Sequence, residues 1–332
     1  MARPGGAQPK SLSIAAALAT LILASTLAIP AGDIFSGQTN SNGYSISVEV
    51  GLVVLPVTVT DRKGRAVAGL RENSFHVFDD GRPQTITLFE SEDVPVTVGL
   101  VIDDSSSMWP RRPEVLAAAE DFTRSSNPQD QIFVVNFNQS VSMGLPEGVP
   151  FTSNVRELLA AISRSPAIGN TALYDGVDKA LQHLKAGTES RRALVVISDG
   201  GDNSSSLTFG QVLHRAEASN AQIYTIGIFD DYFAGENSSV LRRLAKATGG
   251  QAYFPKSASE IPDMCKEIAQ KLRHQYTIGY HPANLDESGR YHAVHVTAQE
   301  AGAGRLRVST RAGYVTPEKV AAMTPRTADA SL

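Results

Sequence analysis

The chain is 332 residues long, 42% hydrophobic and 19% charged, enough for one large or two ordinary domains with substantial cores. Thirty basic against 34 acidic residues leave a formal charge of -4, and no block of Lys or Arg occurs, so there is no electrostatic basis for nucleic-acid binding. The single cysteine, Cys265, excludes an internal disulfide and reads as a small buried apolar residue.

At the amino terminus, Arg3 and Lys10 precede an apolar run from Leu12 to Ile29, which Pro30-Ala31-Gly32 ends. Charge, then apolar run, then small residues is the order of an export signal. Residues 1–31 are therefore expected to be a signal peptide or an N-terminal anchor. The run is close to the shortest that spans a bilayer, about 17 residues, so membrane anchoring through residues 12–29 competes with cleavage. Either fate makes the protein exported: secreted, periplasmic or at the cell surface. Residues 32–43, rich in Gly, Ser and Asn, read as a linker.

From residue 44 the pattern turns to β. The segments 45–50, 53–60, 75–78 and 85–89 favour strands, and Asp79-Asp80-Gly81 is a hairpin signal between the last two. Three or four strands cannot enclose a core alone. Three further strand-like runs, 275–280, 291–297 and 305–310, follow at the far end. Residues 44–95 and 274–315 are thus expected to form one small all-β sandwich from both chain ends, with the intervening segment inserted into it. Residues 316–332 read as a disordered tail.

The intervening residues 96–273 alternate strand and helix: strands at 96–103, 131–137, 193–198, 222–228 and 251–254, helices near 111–125, 154–164, 172–186, 207–218, 238–247 and 258–273. A short strand at 140–144 is expected to pair with 131–137. Runs such as Ile132-Phe133-Val134-Val135 and Leu194-Val195-Val196-Ile197 are apolar on both faces, as parallel strands covered by helices must be. The fold class is α/β, doubly wound around a mostly parallel sheet.

Three segments of this region carry oxygen ligands. Asp103, Ser105 and Ser107 alternate directly after the first strand; Thr171 lies at a helix start; Asp199 follows the strand 193–198. In an open parallel sheet, ligands gather beyond the carboxyl ends of the strands. A small hard cation prefers six oxygens and retains several waters, so hydroxyls and few carboxylates suit it. In order and spacing, the three segments resemble the metal-ion-dependent adhesion site of von Willebrand factor type A domains. The flanking segments 59–64 and 78–81 and the ending Arg311-Ala312-Gly313-Tyr314 also look like those of exported bacterial proteins of this family, particularly acidobacterial ones. The β-sandwich interrupted by such a domain is similar in layout to integrin β chains.

The resemblance implies that Asp103, Ser105, Ser107, Thr171 and Asp199 hold Mg2+, with Mn2+ or Ca2+ as alternatives. The serines and the threonine would touch the metal, and the aspartates would act largely through water. It also implies a protein partner that completes the coordination with an Asp or Glu. Asp104, Trp109 and Asp202 are candidates for a rim that contacts this partner. Asp104 would add negative charge, while Trp109 could instead cap the fold where Pro110 starts the next helix, and Asp202 could simply shape a glycine-rich turn. The expected function is metal-dependent adhesion or protein binding. The alternatives are a structural envelope module whose metal only staples loops, and a metal-assisted hydrolase. Ser105 replaces the second aspartate of a haloacid dehalogenase-type pair, and no Gly-x-Ser-x-Gly elbow or phosphate loop occurs, so no enzymatic role is expected. His292 and His295 lie three apart on a strand-like run and so face opposite sides; solvated or capping roles fit them better than a zinc site.

Overall fold

Apolar alternation in Val53-Val54-Leu55-Pro56-Val57-Thr58-Val59 folds as a strand whose residues 53, 55, 57 and 59 are buried. A computed structural model describes residues 51–229, 234–282, 289–302 and 304–316. The expected signal or anchor, the linker, the strand at 45–50 and the tail beyond Thr316 lie outside the described residues. Among the described residues, no helix is long and apolar enough to cross a membrane.

The first strands are β1 (Val53–Thr60), β2 (Phe75–Asp79), β3 (Arg82–Gln84) and β4 (Ile86–Glu90). The α/β segment follows: β5 (Val96–Asp103), α1 (Arg112–Ser125), β6 (Gln131–Phe137), β7 (Val141–Met143), α2 (Val155–Ser163), α3 (Leu173–His183), β8 (Arg191–Ser198), α4 (Phe209–Ala218), β9 (Ala221–Gly227), α5 (Ala234–Thr248), β10 (Ala252–Tyr253) and α6 (Ile261–Arg273). The chain closes with β11 (Tyr276–Tyr280), β12 (Tyr291–Ala298), β13 (Arg307–Ser309) and β14 (Gly313–Val315).

Early and late strands interleave. One antiparallel sheet runs β13-β1-β11-β4 and another β14-β12-β2-β3. They share one core, in which Leu55, Val57, Phe75 and Val77 from the first segment meet Tyr276, Ile278, Val294, Val296 and Tyr314 from the last. The small sandwich is therefore built from both ends of the described chain. Pro56 is tolerated within β1 because β11 pairs with residues 53–57 and β13 only with 58–60, so one side of the strand needs no donor there. The hairpin β2–β3 turns through Asp80 (φ 48) and Gly81 (φ 76), the doubly left-handed geometry that an Asp-Gly pair accommodates.

Between these halves stands the six-stranded sheet β10-β9-β8-β5-β6-β7, parallel except for β7. All eight residues of β5 and all seven of β9 are buried, which only cover on both faces can achieve. Helices α1, α2 and α6 pack together, as do α3, α4 and α5. Gly99 permits the close packing in the middle of β5: a Cβ there would lie 2.4 Å from Phe133 and 2.6 Å from Leu194. The chain passes from β5 to β6 on one side and returns to β8 on the other. That reversal opens a crevice at the carboxyl ends of β5 and β8.

Three local expectations change. The turn at Asp80-Gly81, expected to lead from 75–78 into 85–89, returns instead through β3, and β4 crosses to pair with β11 in the other sheet. Pro110 does not start α1; it lies within a 3-10 turn, Ser106–Arg111, and Pro113 occupies the first turn of the helix. Residues 184–186, expected as the end of a helix, tighten into a separate 3-10 turn. Cys265 is 1% exposed in α6, and burial pushes its thiol up to about 12.

The start of β5 is fixed by Asp130, 6% exposed, whose carboxylate accepts the N–H of Val96 at 2.8 Å and of Asn127 at 3.1 Å. Burial pushes this carboxyl up from 3.8 to about 6, against the opposing effect of the two N–H donors. The folded chain thus binds this proton more tightly than the unfolded chain does. The contribution is fully present below the unfolded value and is lost as pH rises through about 6. Asp130→Asn removes the titration, so the melting temperature of the variant minus that of the wild type should rise between about pH 4.5 and about pH 7.5. A pH-independent difference in thermal unfolding would contradict the assignment.

Candidate metal centre

Parallel register between β5 and β8 pairs Ile102 with Ile197, so Asp103 and Ser198 finish side by side. Ser198 Oγ donates to Asp103 Oδ2 at 2.6 Å, and the backbone N–H of Ser105 donates to Asp103 Oδ1 at 2.9 Å. With both oxygens engaged and 2% exposure, Asp103 organises the loop that follows it. That loop extends at Ser105 and then tightens into the 3-10 turn, which brings Ser105 Oγ to 3.0 Å from Ser107 Oγ. Ser107 Oγ in turn donates to Asp199 Oδ2 at 2.6 Å.

Thr171 reaches the same edge by backbone docking. Ser106 Oγ accepts from Gly169 N at 2.8 Å, and Ser106 N donates to Gly169 O. The N–H of Thr171 donates to Asn203 Oδ1, and its carbonyl accepts from Asn203 and Ser204. Four expected residues, Asp103, Ser105, Ser107 and Asp199, are linked by hydrogen bonds directly or through one backbone group. Thr171 joins them through its loop.

The set suits a hard cation. Its donors are all hydroxyl and carboxylate oxygens, and the 3.0 and 2.6 Å separations lie near the roughly 2.9 Å edge of an octahedron with bonds of about 2.0 to 2.1 Å. Ser105 is buried, whereas Ser107 is exposed and Asp199 half-buried, so one side faces solvent. Burial pushes the Asp103 carboxyl up to about 7; the hydrogen bonds from Ser105 and Ser198 oppose this, and the negative charge of Asp199 adds to it. Carboxylates that repel each other in this way gain from a cation beside them.

The three rim candidates separate. Trp109 is 64% exposed on the 3-10 turn. Asp104, expected to add charge at the rim, is 1% exposed and pairs with Arg112, so the structure does not present it to a partner or to a cation. Burial still pushes its carboxyl up to about 6, with Arg112 as the main opposing influence. Asp202 Oδ2 accepts from Tyr174 N at 3.0 Å and from Ser205 Oγ at 2.5 Å; it ties its turn to the start of α3.

Sequence reasoning missed Arg112 and Ser198. Ser198 could have been found, because it precedes Asp199 and stands at the strand end opposite Asp103. Arg112 could not, since its value lies in tertiary contacts: it also donates to the carbonyls of Ile162, in the last turn of α2, and of Ser165, just beyond it, at 3.0 and 2.6 Å. Removing it strands a buried carboxylate, so Arg112→Ala should cost about 3 to 5 kcal/mol in urea unfolding. Adding Asp104→Asn should recover much of that loss. A double variant no more stable than Arg112→Ala alone would show that the pair is not the cause.

A sequence model of the von Willebrand factor type A domain matches residues 97–267, just over half of the 332 residues. An uncharacterized protein of Borreliella burgdorferi is 35% identical over 105 residues, 31% of this chain and 29% of its own length. An uncharacterized protein of Synechocystis is 25% identical over 185 residues, 54% of this chain and 42% of its own length. The chain therefore spans less than half the length of these curated relatives. Among solved structures, the von Willebrand factor type A protein from Catenulispora acidiphila has a similar fold, with a TM-score of 0.50 at 15% identity, covering 79% of this chain and 73% of that one. With the doubly wound sheet and the oxygen-lined crevice beyond β5 and β8, the chain belongs to the von Willebrand factor type A domain family.

Proposed function

We propose that this is an exported, metal-dependent protein-binding module. Asp103, Ser105, Ser107, Thr171 and Asp199 would hold Mg2+, with Mn2+ or Ca2+ as alternatives, and a partner would contribute an Asp or Glu. The observation that carries this reading is the chain of close oxygens from Ser105 through Ser107 to Asp199, at 3.0 and 2.6 Å, open to solvent at Ser107. When bound, the cation supplies an electrophilic position for an outside carboxylate. The residues do the rest. Asp103 orients the loop, the hydroxyls keep the donor set largely neutral, and Asp199 balances charge.

The surroundings favour docking. Trp109 is 64% and Ile168 56% exposed, and both flank the crevice: Trp109 on the turn that carries Ser107, and Ile168 on the loop whose N–H donates to Asp104 O. Large exposed apolar side chains beside a polar centre are typical of binding surfaces. We assign no catalytic step to this site. The second reading, a metal that only staples the three loops, draws on the same hydrogen bonds but leaves Trp109 without a role.

Isothermal titration with Mg2+ is expected to give a one-site heat for the wild type and none for Asp103→Ala or Ser107→Ala. Equal heats from wild type and variants would refute metal binding at this edge. Binding of a peptide bearing a single Glu, followed in Mg2+ and then in EDTA, addresses the partner. Signal lost in EDTA, and weakened in Trp109→Ala with the Mg2+ heat unchanged, supports the adhesive reading. Binding indifferent to both changes leaves only the staple.

A further inference from the structure

The hairpin turn after β2 and the buried face of β12 place three ligating groups together, remote in sequence from the crevice described above. Asp79, His292 and Asp80 each offer one atom, and these atoms lie within 4.8 Å of one another. His292 Nδ1 stands 3.5 Å from Asp79 Oδ1 and 3.1 Å from Asp80 Oδ2. For bonds of about 2.0 to 2.1 Å, the edge of a tetrahedron is roughly 3.3 Å, which the two separations bracket. The cluster borders a cavity of about 230 Å³ also lined by Arg82, Gln84, Pro282 and Arg290.

Each carboxylate is anchored by one oxygen and presents the other. Asp79 Oδ2 accepts from the hydroxyls of Tyr280 and Tyr314, both at 2.8 Å. Asp80 Oδ1 accepts from Ala293 N at 2.9 Å, and Asp80 N donates to Ala293 O, a pairing made available by its left-handed backbone, φ 48. The His292 ring is fixed by stacking on Tyr314, with centroids 5.0 Å apart and planes 10° apart.

The remaining oxygen of Asp79 is the independent pointer to a ligand. Asp79 is 5% exposed, and its Oδ1 is buried with no hydrogen-bond partner among the described residues, although it faces the imidazole. An orphaned buried carboxylate oxygen is costly unless a cation or donor meets it. Outer hydrogen bonds that orient carboxylates while leaving one oxygen of each directed at a histidine nitrogen form the support expected of a metal site.

We propose that Asp79, Asp80 and His292 form a second cation site, selective for Zn2+ or a similar nitrogen-seeking divalent metal, with a fourth position open to the cavity. One nitrogen and two oxygens, with both nitrogen–oxygen separations near a tetrahedral edge, suit Zn2+ better than Mg2+. The site ties β2 to β12, and through Tyr280 it reaches β11 in the opposite sheet. Arg290 approaches Asp80 Oδ2 at 3.7 Å from the solvent side and competes for that oxygen.

The test is Zn2+ titration of the full chain in excess Mg2+, with Co2+ absorption as a second readout. The wild type and Asp103→Ala should each bind one Zn2+ under these conditions and give the visible bands of four-coordinate Co2+. Asp80→Asn and His292→Gln should weaken Zn2+ at least ten-fold and abolish the bands, while Arg290→Ala should tighten binding. Asp80→Asn retains the amide oxygen that meets Ala293, so near-ultraviolet circular dichroism can verify its fold, and it stands as the deciding variant if His292→Gln unfolds. Failure of the wild type to take up Zn2+ in Mg2+, or uptake unchanged by Asp80→Asn, overturns the proposal. Neither outcome bears on the Asp103 centre.

Discussion

The alignment of β5 with β8 is the constraint on which the candidate centre depends. Seven consecutive residue pairs, Val96 with Arg191 through Ile102 with Ile197, leave no freedom in where the two strands end. Every side chain there is buried or nearly so, and a slip of one residue would turn apolar groups out of register with both helical layers. Asp103 and Ser198 meet because of this. Their 2.6 Å hydrogen bond then fixes the loop that presents Ser105 and Ser107.

The α/β segment was legible because each signal in it is local. Fully apolar strands such as Ile132-Phe133-Val134-Val135, helices of ordinary length and oxygen ligands placed at strand ends need no distant partner to be read. The same holds for the Asp80-Gly81 turn, whose residue types declare their backbone geometry. The sandwich required one more step, the insight that an undersized set of early strands needs the late ones, and the shared core of Val57, Phe75, Tyr276 and Val296 meets that need. The short strand β14 has no signature in the sequence, since three residues after Ala312 carry no periodicity.

What stayed hidden is tertiary. Nothing in the sequence near Asp104 foretells that Arg112 will fold back on it, because the pairing requires the turn at 106–111 and the carbonyls of Ile162 and Ser165 in place. Asp79 and His292 are 213 positions apart and meet only through the antiparallel pairing of β2 with β12. The alternation rule was sufficient to separate His292 from His295, and it did: one is 5% exposed in the core, the other faces outward. It had no means of showing which carboxylates the inward ring would find.

The insertion joins the sandwich at closely spaced points. Glu90, the last residue of β4, pairs with Thr277 of β11, and Asp93 meets Arg273 at 2.6 Å, so the chain leaves and re-enters through neighbouring strands. Tension applied between Val53 and Val315 would accordingly pass through the β1–β11 and β12–β14 ladders and the core that joins the two sheets. The inserted domain hangs beside that line of force, and the crevice beyond β5 and β8 can keep its shape while the strands of the sandwich are under strain.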